Sequence, residues 1–367
     1  MYNKISTRTQ RVLKSKKGGC PTVKPRQQAI LKTVVESYIE NGEPVSSKYI
    51  LQKEGLDVSS ATIRNDLAYL EKKGYLHQPH TSAGRVPTEA GYRFYVDHLL
   101  ELPSLDMKTT EALVAAVSSI NATADDFLKE AITMFSRITG YTSAAVVQQN
   151  DSDRIMRMEV IKTADDMINL VVITKSGKVK NSFCRLYFLA TDEDIQDLND
   201  TLGHYVQQAA ITQLSDADFD ELEKLLSIKQ KNWEFLVGMV KNIVHSIKRP
   251  KVIVSGQSHM LSHPEFYEIH KAQNIMSFLS REDMLCHILT SGDSDGVHIK
   301  IGSEIGDEIG DETLGDMGLV IRKYGDDLGT LGALSIFGPT RMDYGKGASQ
   351  VDYFARCIEK FLKEHYM

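Results

Sequence analysis

Thr62, Arg64, Asn65 and Tyr69, with Ser60 and Lys72 near the ends of the same stretch, set hydroxyl, guanidinium, carboxamide and phenol groups within roughly three turns of helix. Arginine and asparagine bond guanine and adenine edges in pairs, while serine and lysine suit phosphate oxygens. The stretch runs from Ser59 to Gly74, and its apolar residues decide which way those groups point. Ile63, Leu67 and Leu70 recur at i, i+4 and i+7 and so form one buried stripe. The opposite side carries Ala61, Asn65, Ala68 and Lys72, flanked by Thr62, Arg64 and Tyr69. A serine at the entrance satisfies free backbone donors of the first turn, and Gly74 suits a stop. Most amphipathic helices with a basic outer face only meet solvent, so the neighbouring elements have to carry the case.

Pro25 suits a first helical position, and Arg26 to Asn41 puts Ile30, Leu31, Val34, Val35 and Tyr38 on one face before Gly42. A second helix is expected after Pro44, capped by Ser46 or Ser47, with Tyr49, Ile50 and Leu51 inward and a stop at Gly55. The link Gly55 to Val58 then feeds the polar helix, which predicts a helix-turn-helix bundle. Beyond Gly74, Tyr75 to Pro87 alternates around Ser82-Ala83-Gly84, the pattern of a short hairpin or wing whose prolines suit an edge. His80 and Arg85 fall near its tip, within reach of a phosphate or a minor groove. Thr88 caps a further helix, Glu89 to Leu102, with Tyr92, Tyr95, Val96 and Leu99 as its apolar face.

Charge supports the same reading. The chain has 367 residues and a net charge of -6, but residues 1–100 hold 16 Lys+Arg against 9 Asp+Glu, leaving the remainder strongly acidic. A basic head on an acidic body is the footprint of a nucleic-acid reader joined to a part with another task. Residues 1–24 are basic without an acidic residue and read as a disordered arm. Cys20, Cys184, Cys286 and Cys357 form no C-x-x-C pair, which argues against a zinc ribbon or disulfide framework and for free thiols in a reducing cytosol. With no long apolar run and no signal-peptide core, a soluble, cytoplasmic protein without membrane contact is expected.

The body opens with two expected helices, Met107 to Ile120 and Ala124 to Gly140. Thr142 to Gln148, Arg154 to Lys162, Met167 to Thr174 and Val179 to Leu186 read as strands, with a turn at Ser176-Gly177. Asp192 to Ile247 is helical, and Trp233, Leu236, Val237, Val240, Ile243, Val244 and Ile247 make its broadest apolar stripe. That stripe is either internal core or a dimer face. Strands resume at Val252 to Ser255, Val297 to Ile301, Leu319 to Tyr324 and Thr330 to Phe337, before a last helix after Asp343. Strands on both sides of a helical block indicate an α+β domain interrupted by an insertion.

Catalysis finds no residues to stand on. His259, His263 and His270 are broken up by Pro264, and the Asp293/Asp295 stretch lacks the glycine of a calcium loop, so no metal or cofactor is expected. The tetrads Ile301-Gly302-Ser303-Glu304, Ile305-Gly306-Asp307-Glu308 and Ile309-Gly310-Asp311-Glu312 form a short repeat that reads as a flexible acidic loop. Walker and G-x-G-x-x-G motifs are absent, which argues against an enzyme.

Several motifs together resemble the HrcA family of bacterial heat-inducible transcription repressors: Val45 to Lys48, Val58 to Asp66, Gln78 to Thr88 and Gly91 to Asp97 in the head, then Val254 to Ser258 and Gly338 to Tyr344. The resemblance implies a winged helix-turn-helix head (25–103), a GAF-like domain (104–190 and 250–367) and an inserted, mainly helical dimerisation domain (191–249). It further implies a homodimer on an inverted-repeat operator of double-stranded DNA ahead of chaperone operons, with the chaperonin GroEL assisting the active fold. The expected DNA contacts are Ser60, Thr62, Arg64, Asn65, Tyr69, Lys72, His80 and Arg85, and the expected dimer residues Trp233, Leu236, Val240 and Ile243. The alternative is a winged-helix regulator whose GAF-like body senses a small molecule.

Overall fold

The computed structural model describes residues 23–54, 58–80, 83–118, 124–147, 154–175, 177–206, 211, 214–229, 233, 235–292, 296–326 and 329–365. Most of the basic arm, Gly55 to Asp57, Thr81, Ser82, Ser176 and the Asp293/Asp295 pair lie outside them. The chain divides into two compact units, residues 1–146 with 252–365, and residues 147–251.

The head of the first unit is α1 (Pro25–Asn41), α2 (Ser47–Glu54) and α3 (Ser60–Lys72), followed by the wing strands β1 (Leu76–His77) and β2 (Val86–Pro87). Ile30, Leu31, Val34, Val35, Ile50, Ile63 and Leu70 are fully buried, so the periodic stripes meet in one small core. Tyr49 departs from its expected inward place. It is exposed on α2, whereas Ile50 is fully buried and Leu51 half-buried, and Lys53 Nζ lies 5.8 Å from its ring.

Two glycines let backbone meet backbone here. A Cβ on Gly84 would come within 2.4 Å of the Val45 carbonyl, where Val45 and Arg85 exchange two 2.9 Å backbone hydrogen bonds. On Gly91 it would come within 2.1 Å of the Tyr75 carbonyl oxygen. The helix after Thr88 is shorter than expected. α4 (Glu89–Phe94) passes into a π turn over Tyr95–Leu99, and the chain is extended at Leu100.

The first unit continues with α5 (Met107–Ser118), α6 (Ala124–Thr139) and β3 (Thr142–Val147). The second unit holds β4 (Ile155–Ala164), β5 (Met167–Thr174), β6 (Val179–Arg185), α7 (Asp192–Val206), α8 (Asp216–Lys229) and α9 (Phe235–Lys248). The strands β4 to β6, expected in the sheet domain, therefore belong to the insertion, which starts at 147 rather than 191. They form their own antiparallel sheet, β4-β5-β6. The alternate residues Ile168, Leu170 and Val172 pack into one cluster with Leu198, Leu202 and the α9 stripe. Asn199 pins α7 to β4 by accepting from the Val160 N–H and donating to its carbonyl.

This cluster corrects the dimer expectation. Trp233, Leu236, Val240 and Ile243 are each at most 4% exposed and fill the second unit's own interior, so that stripe is core. Its breadth follows from serving a sheet face and neighbouring helices at once.

The chain then returns through β7 (Lys251–Ser255), α10 (Gln257–Met260), α11 (Ile269–Ser280), α12 (Glu282–Thr290), β8 (Val297–Ile301), α13 (Ser303–Ile309), β9 (Met317–Asp326), β10 (Gly329–Pro339) and α14 (Tyr344–His365). The five-stranded sheet runs β7-β3-β10-β9-β8, with β8, β9 and β10 antiparallel in turn. Alternation along β9 sends Leu319 and Ile321 into a cluster with Phe278, Leu285 and Ile288, while Arg322 pairs with buried Asp352 of α14. Phe354 of α14 stacks on Phe135 of α6 at 4.4 Å.

Trp233 is the chain's single tryptophan, 2% exposed and edge-on to Phe188 at 5.2 Å. Its fluorescence therefore reports unfolding of the second unit. Leu236→Ala is expected to lower stability by about 2–5 kcal/mol on that signal. A denaturant midpoint shared with wild type would place Leu236 outside the core.

Candidate nucleic-acid interface

The geometry of α3 begins at its cap. Ser59 is extended, at φ -72° and ψ 154°, and its Oγ accepts from the Thr62 N–H at 3.2 Å. The same Oγ lies 3.0 Å from the Thr62 hydroxyl, so Thr62 is partly engaged by the cap and half-buried. Ala61, Arg64, Asn65, Ala68 and Lys72 are exposed, and Ser60 and Tyr69 half-buried. Five of these lie on or beside the outward line that the stripe of Ile63, Leu67 and Leu70 dictates, because that stripe is sealed against α1 and α2.

Asp66 stands on the buried side, a place the apolar stripe did not reveal. Its carboxylate accepts from Arg26 Nε at 2.7 Å and from Gln27 Nε2 at 3.0 Å, both in the first turn of α1. Burial acts to raise the Asp66 carboxyl, but the hydrogen bonds and the guanidinium charge outweigh it and hold the group below its ordinary value. The sequence signal was the Arg26-Gln27 pair after Pro25, which reads on its own as solvent-facing.

The wing closes around the far end of α3. Gly74, at φ +80°, turns the chain, and the Tyr75 N–H donates to the Leu70 carbonyl at 3.0 Å. Thr88 donates to the Gly74 carbonyl at 2.6 Å and accepts from the Gly91 N–H at 3.1 Å, so one hydroxyl ties the end of α3 to the start of α4. β1 and β2 pair Leu76 with Pro87 and His77 with Val86. The Ala83 N–H donates to the His80 carbonyl at 2.8 Å, and His80 itself is exposed at the turn.

Arg85 sits elsewhere than expected. Its guanidinium reaches Glu71 Oε2 at 2.9 Å and only 18% of the side chain is exposed, so it staples the wing to α3 instead of reaching out at the tip. Lys73, which the sequence reading passed over, lies with its Nζ 5.8 Å from the Tyr69 ring at the edge of the outward face. Tyr49 and Lys53 likewise add an exposed aromatic and a cation on α2. At eight residues α2 shows too few apolar repeats for the sequence to tell that Tyr49 faces out.

A three-helix bundle, a two-stranded wing and one outward face of Arg64, Asn65 and Lys72 define a winged helix-turn-helix protein of the DNA-binding class. The profile described as the HrcA protein C terminal domain matches residues 125–347, and a DeoR-like helix-turn-helix domain matches residues 26–88. The chain belongs to the HrcA family.

Among relatives named "Heat-inducible transcription repressor HrcA", that of Acetivibrio thermocellus is 30% identical over 342 residues, 93% of this chain and 95% of the relative. That of Caldanaerobacter subterraneus subsp. tengcongensis is 33% identical over 345 residues, 93% and 97% of the two chains. A crystal structure described as that of a hypothetical protein at 2.2 Å resolution has the same fold, with a TM-score of 0.62 and 22% identity. It covers 93% of this chain and 99% of its own. Among the described residues no helix is long and apolar enough to cross a membrane, and no cluster of three metal-ligating side chains occurs.

Removing the Asp66 carboxylate leaves the Gln27 amide buried without its acceptor. Asp66→Ala should lower stability by about 1–3 kcal/mol near neutral pH. Because the folded value lies below the unfolded one, the carboxylate stabilises the head fully above the ordinary carboxylate range. That stabilisation is lost as pH falls through the depressed folded value. Urea unfolding of wild type and variant should thus converge as the solution is acidified, and a gap independent of pH would exclude an ionised Asp66 as its source.

Proposed function

We infer that this chain is a transcription repressor of heat-inducible genes that holds DNA through α3. The observation that carries the reading is the outward face of Arg64, Asn65 and Lys72 on a helix whose other side is locked to α1 by Asp66. The relatives' shared name, heat-inducible transcription repressor, supplies the regulatory sense.

Arg64, Asn65 and Tyr69 read base edges in the major groove, Thr62 assists from the cap, and Ser60 and Lys72 hold phosphates. His80 follows the adjacent backbone or minor groove from the wing, and Arg85 serves by fixing that wing. The protein acts in the cytoplasm as a homodimer on an inverted repeat, two heads meeting two half-sites across a twofold axis. Its pairing surface lies outside the buried stripe of α9. The sheet body is GAF-like, and the chaperonin GroEL assists the active fold, so that repressor activity falls when unfolded protein occupies the chaperonin. These last points rest on the family resemblance.

The effector-sensing alternative gains nothing from the cavity lined by Val114, Val117, Cys357 and Phe361 between α5 and α14, which has room for about one water.

Arg64→Ala should weaken binding to the inverted repeat by roughly 1–3 kcal/mol and relax selectivity at one base position. Lys72→Ala should weaken binding to repeat and scrambled duplex alike and reduce the salt slope by about 1. Fluorescence-anisotropy titrations across salt measure both. Unchanged affinity and selectivity in Arg64→Ala would sink the assigned roles.

A further inference from the structure

The three tetrads at 301–312 were expected to form a flexible acidic loop, and the structure gives each residue type a fixed task. Ile301 is buried at the end of β8, Ile305 is buried in the cluster with Phe278 and Leu285, and Ile309 packs against that cluster. A Cβ on Gly306 would come within 2.7 Å of the Asp311 carbonyl oxygen, and Gly310 ends α13 at φ +71°. The Glu308 carboxylate meets Lys300 and the Ser291 hydroxyl. Glu304 faces the DNA-binding head instead.

Arg93 of α4 donates from Nε to Glu304 Oε1 at 2.8 Å and from Nη2 to Oε2 at 2.6 Å, a bidentate fork. The same Nη2 donates to the Ile299 carbonyl at 2.7 Å, and Nη1 to Asp97 at 3.2 Å. One helical turn earlier, Glu89 Oε2 accepts from the Ser303 hydroxyl at 2.6 Å and from its N–H at 3.2 Å. Gly302, at φ +56°, makes room for it, since a Cβ there would overlap the Glu89 carboxylate at 2.2 Å. At the other end of the head, Arg341 pairs with Glu265 directly beneath Gly42, which closes α1 at φ +69°. The head therefore meets the body through several contacts, Tyr92 against Tyr344 among them, and the densest polar one is the first tetrad.

We propose that Arg93 and Glu304, with Glu89 and Ser303, form a latch by which the first tetrad fixes the bearing of the recognition helix, so that Arg93 is a positioning residue for operator binding. The latched arrangement is the competent one, because the outward face of α3 is open while the latch is closed. Thr88 links the two directly: its hydroxyl bonds the end of α3 and caps the helix that carries Glu89 and Arg93. A latch of this kind matters little for one half-site, where the head can adjust alone. Two half-sites at one spacing require both heads to hold a set bearing. The proposal rests on the repressor reading given above.

The test uses the full chain, Arg93→Lys and Glu304→Gln, and an inverted repeat selected from random duplexes by the wild-type protein. Each protein is titrated against a single half-site, the selected repeat, and repeats with the spacer lengthened in single base-pair steps. Arg93→Lys keeps the charge but loses the fork, and a thermal melt accompanies each variant. The expected result is unchanged half-site affinity, about tenfold weaker binding to the selected repeat, and a flatter dependence on spacer length in both variants. Equal loss on half-site and repeat would reduce the latch to a fold contact and overturn the proposal. So would unchanged binding, and so would tighter binding, which would make the latched form the resting one. A wild type that fails to distinguish its repeat from a scrambled duplex would overturn the repressor reading as well, whereas the other outcomes leave that reading standing.

Discussion

A single carboxylate settles how the head is built. Asp66 belongs to the helix that reads DNA, yet it points backward and joins that helix to the first turn of α1 through Arg26 and Gln27. The apolar stripe of Ile63, Leu67 and Leu70 chooses the buried face, but hydrophobic contact is non-directional and leaves rotation and slide poorly fixed. Two hydrogen bonds to one buried carboxylate remove that freedom. The outward residues then inherit a fixed position, which a base-reading set needs more than affinity.

The C-terminal end of the helix is fixed by different means. Gly74, Thr88, Gly91 and the Arg85–Glu71 pair hold the wing and α4 against the last turn of α3. Glycine is required at 84 and 91 because carbonyls of Val45 and Tyr75 occupy the space a side chain would take. The recognition helix is thus held at its middle by Asp66 and at its last turn by the wing, and α4 passes the constraint to the body through Arg93.

Much of this was legible in the sequence where a period repeats. The helices of the head, the wing between Pro79 and Pro87 and the outward face of α3 follow from spacing and capping alone. What spacing cannot show is the partner on the far side of a stripe. Trp233, Leu236, Val240 and Ile243 announced a broad apolar face, and only tertiary structure reveals that β4, β5 and β6 cover it. Arg85 and Asp66 illustrate the same limit for polar residues: each reads as solvent-facing until an opposite charge from a distant turn meets it. The tetrads misled for a reason of composition, since glycine and acid usually signal a loop, although Ile305 and Ile309 stand four apart, close enough to the helical 3.6 to share one face of α13, while Ile301 ends β8.

The insertion raises a question of cost that the sheet order answers. Its entry follows β3 and its exit precedes β7, and these strands are neighbours in the order β7-β3-β10-β9-β8. The first unit therefore closes a loop of fixed ends whose entropy rises only by about 0.6 kcal/mol for each doubling of its length. A structureless loop between those strands would carry that cost with nothing to offset it. Residues 147–251 instead bury their own core around Trp233 and α9, so the second unit is stabilised independently of the sheet it interrupts. The two adjoining strands thus stay neighbours in the sheet, and the polar contacts between head and body run from α4 to the start of α13.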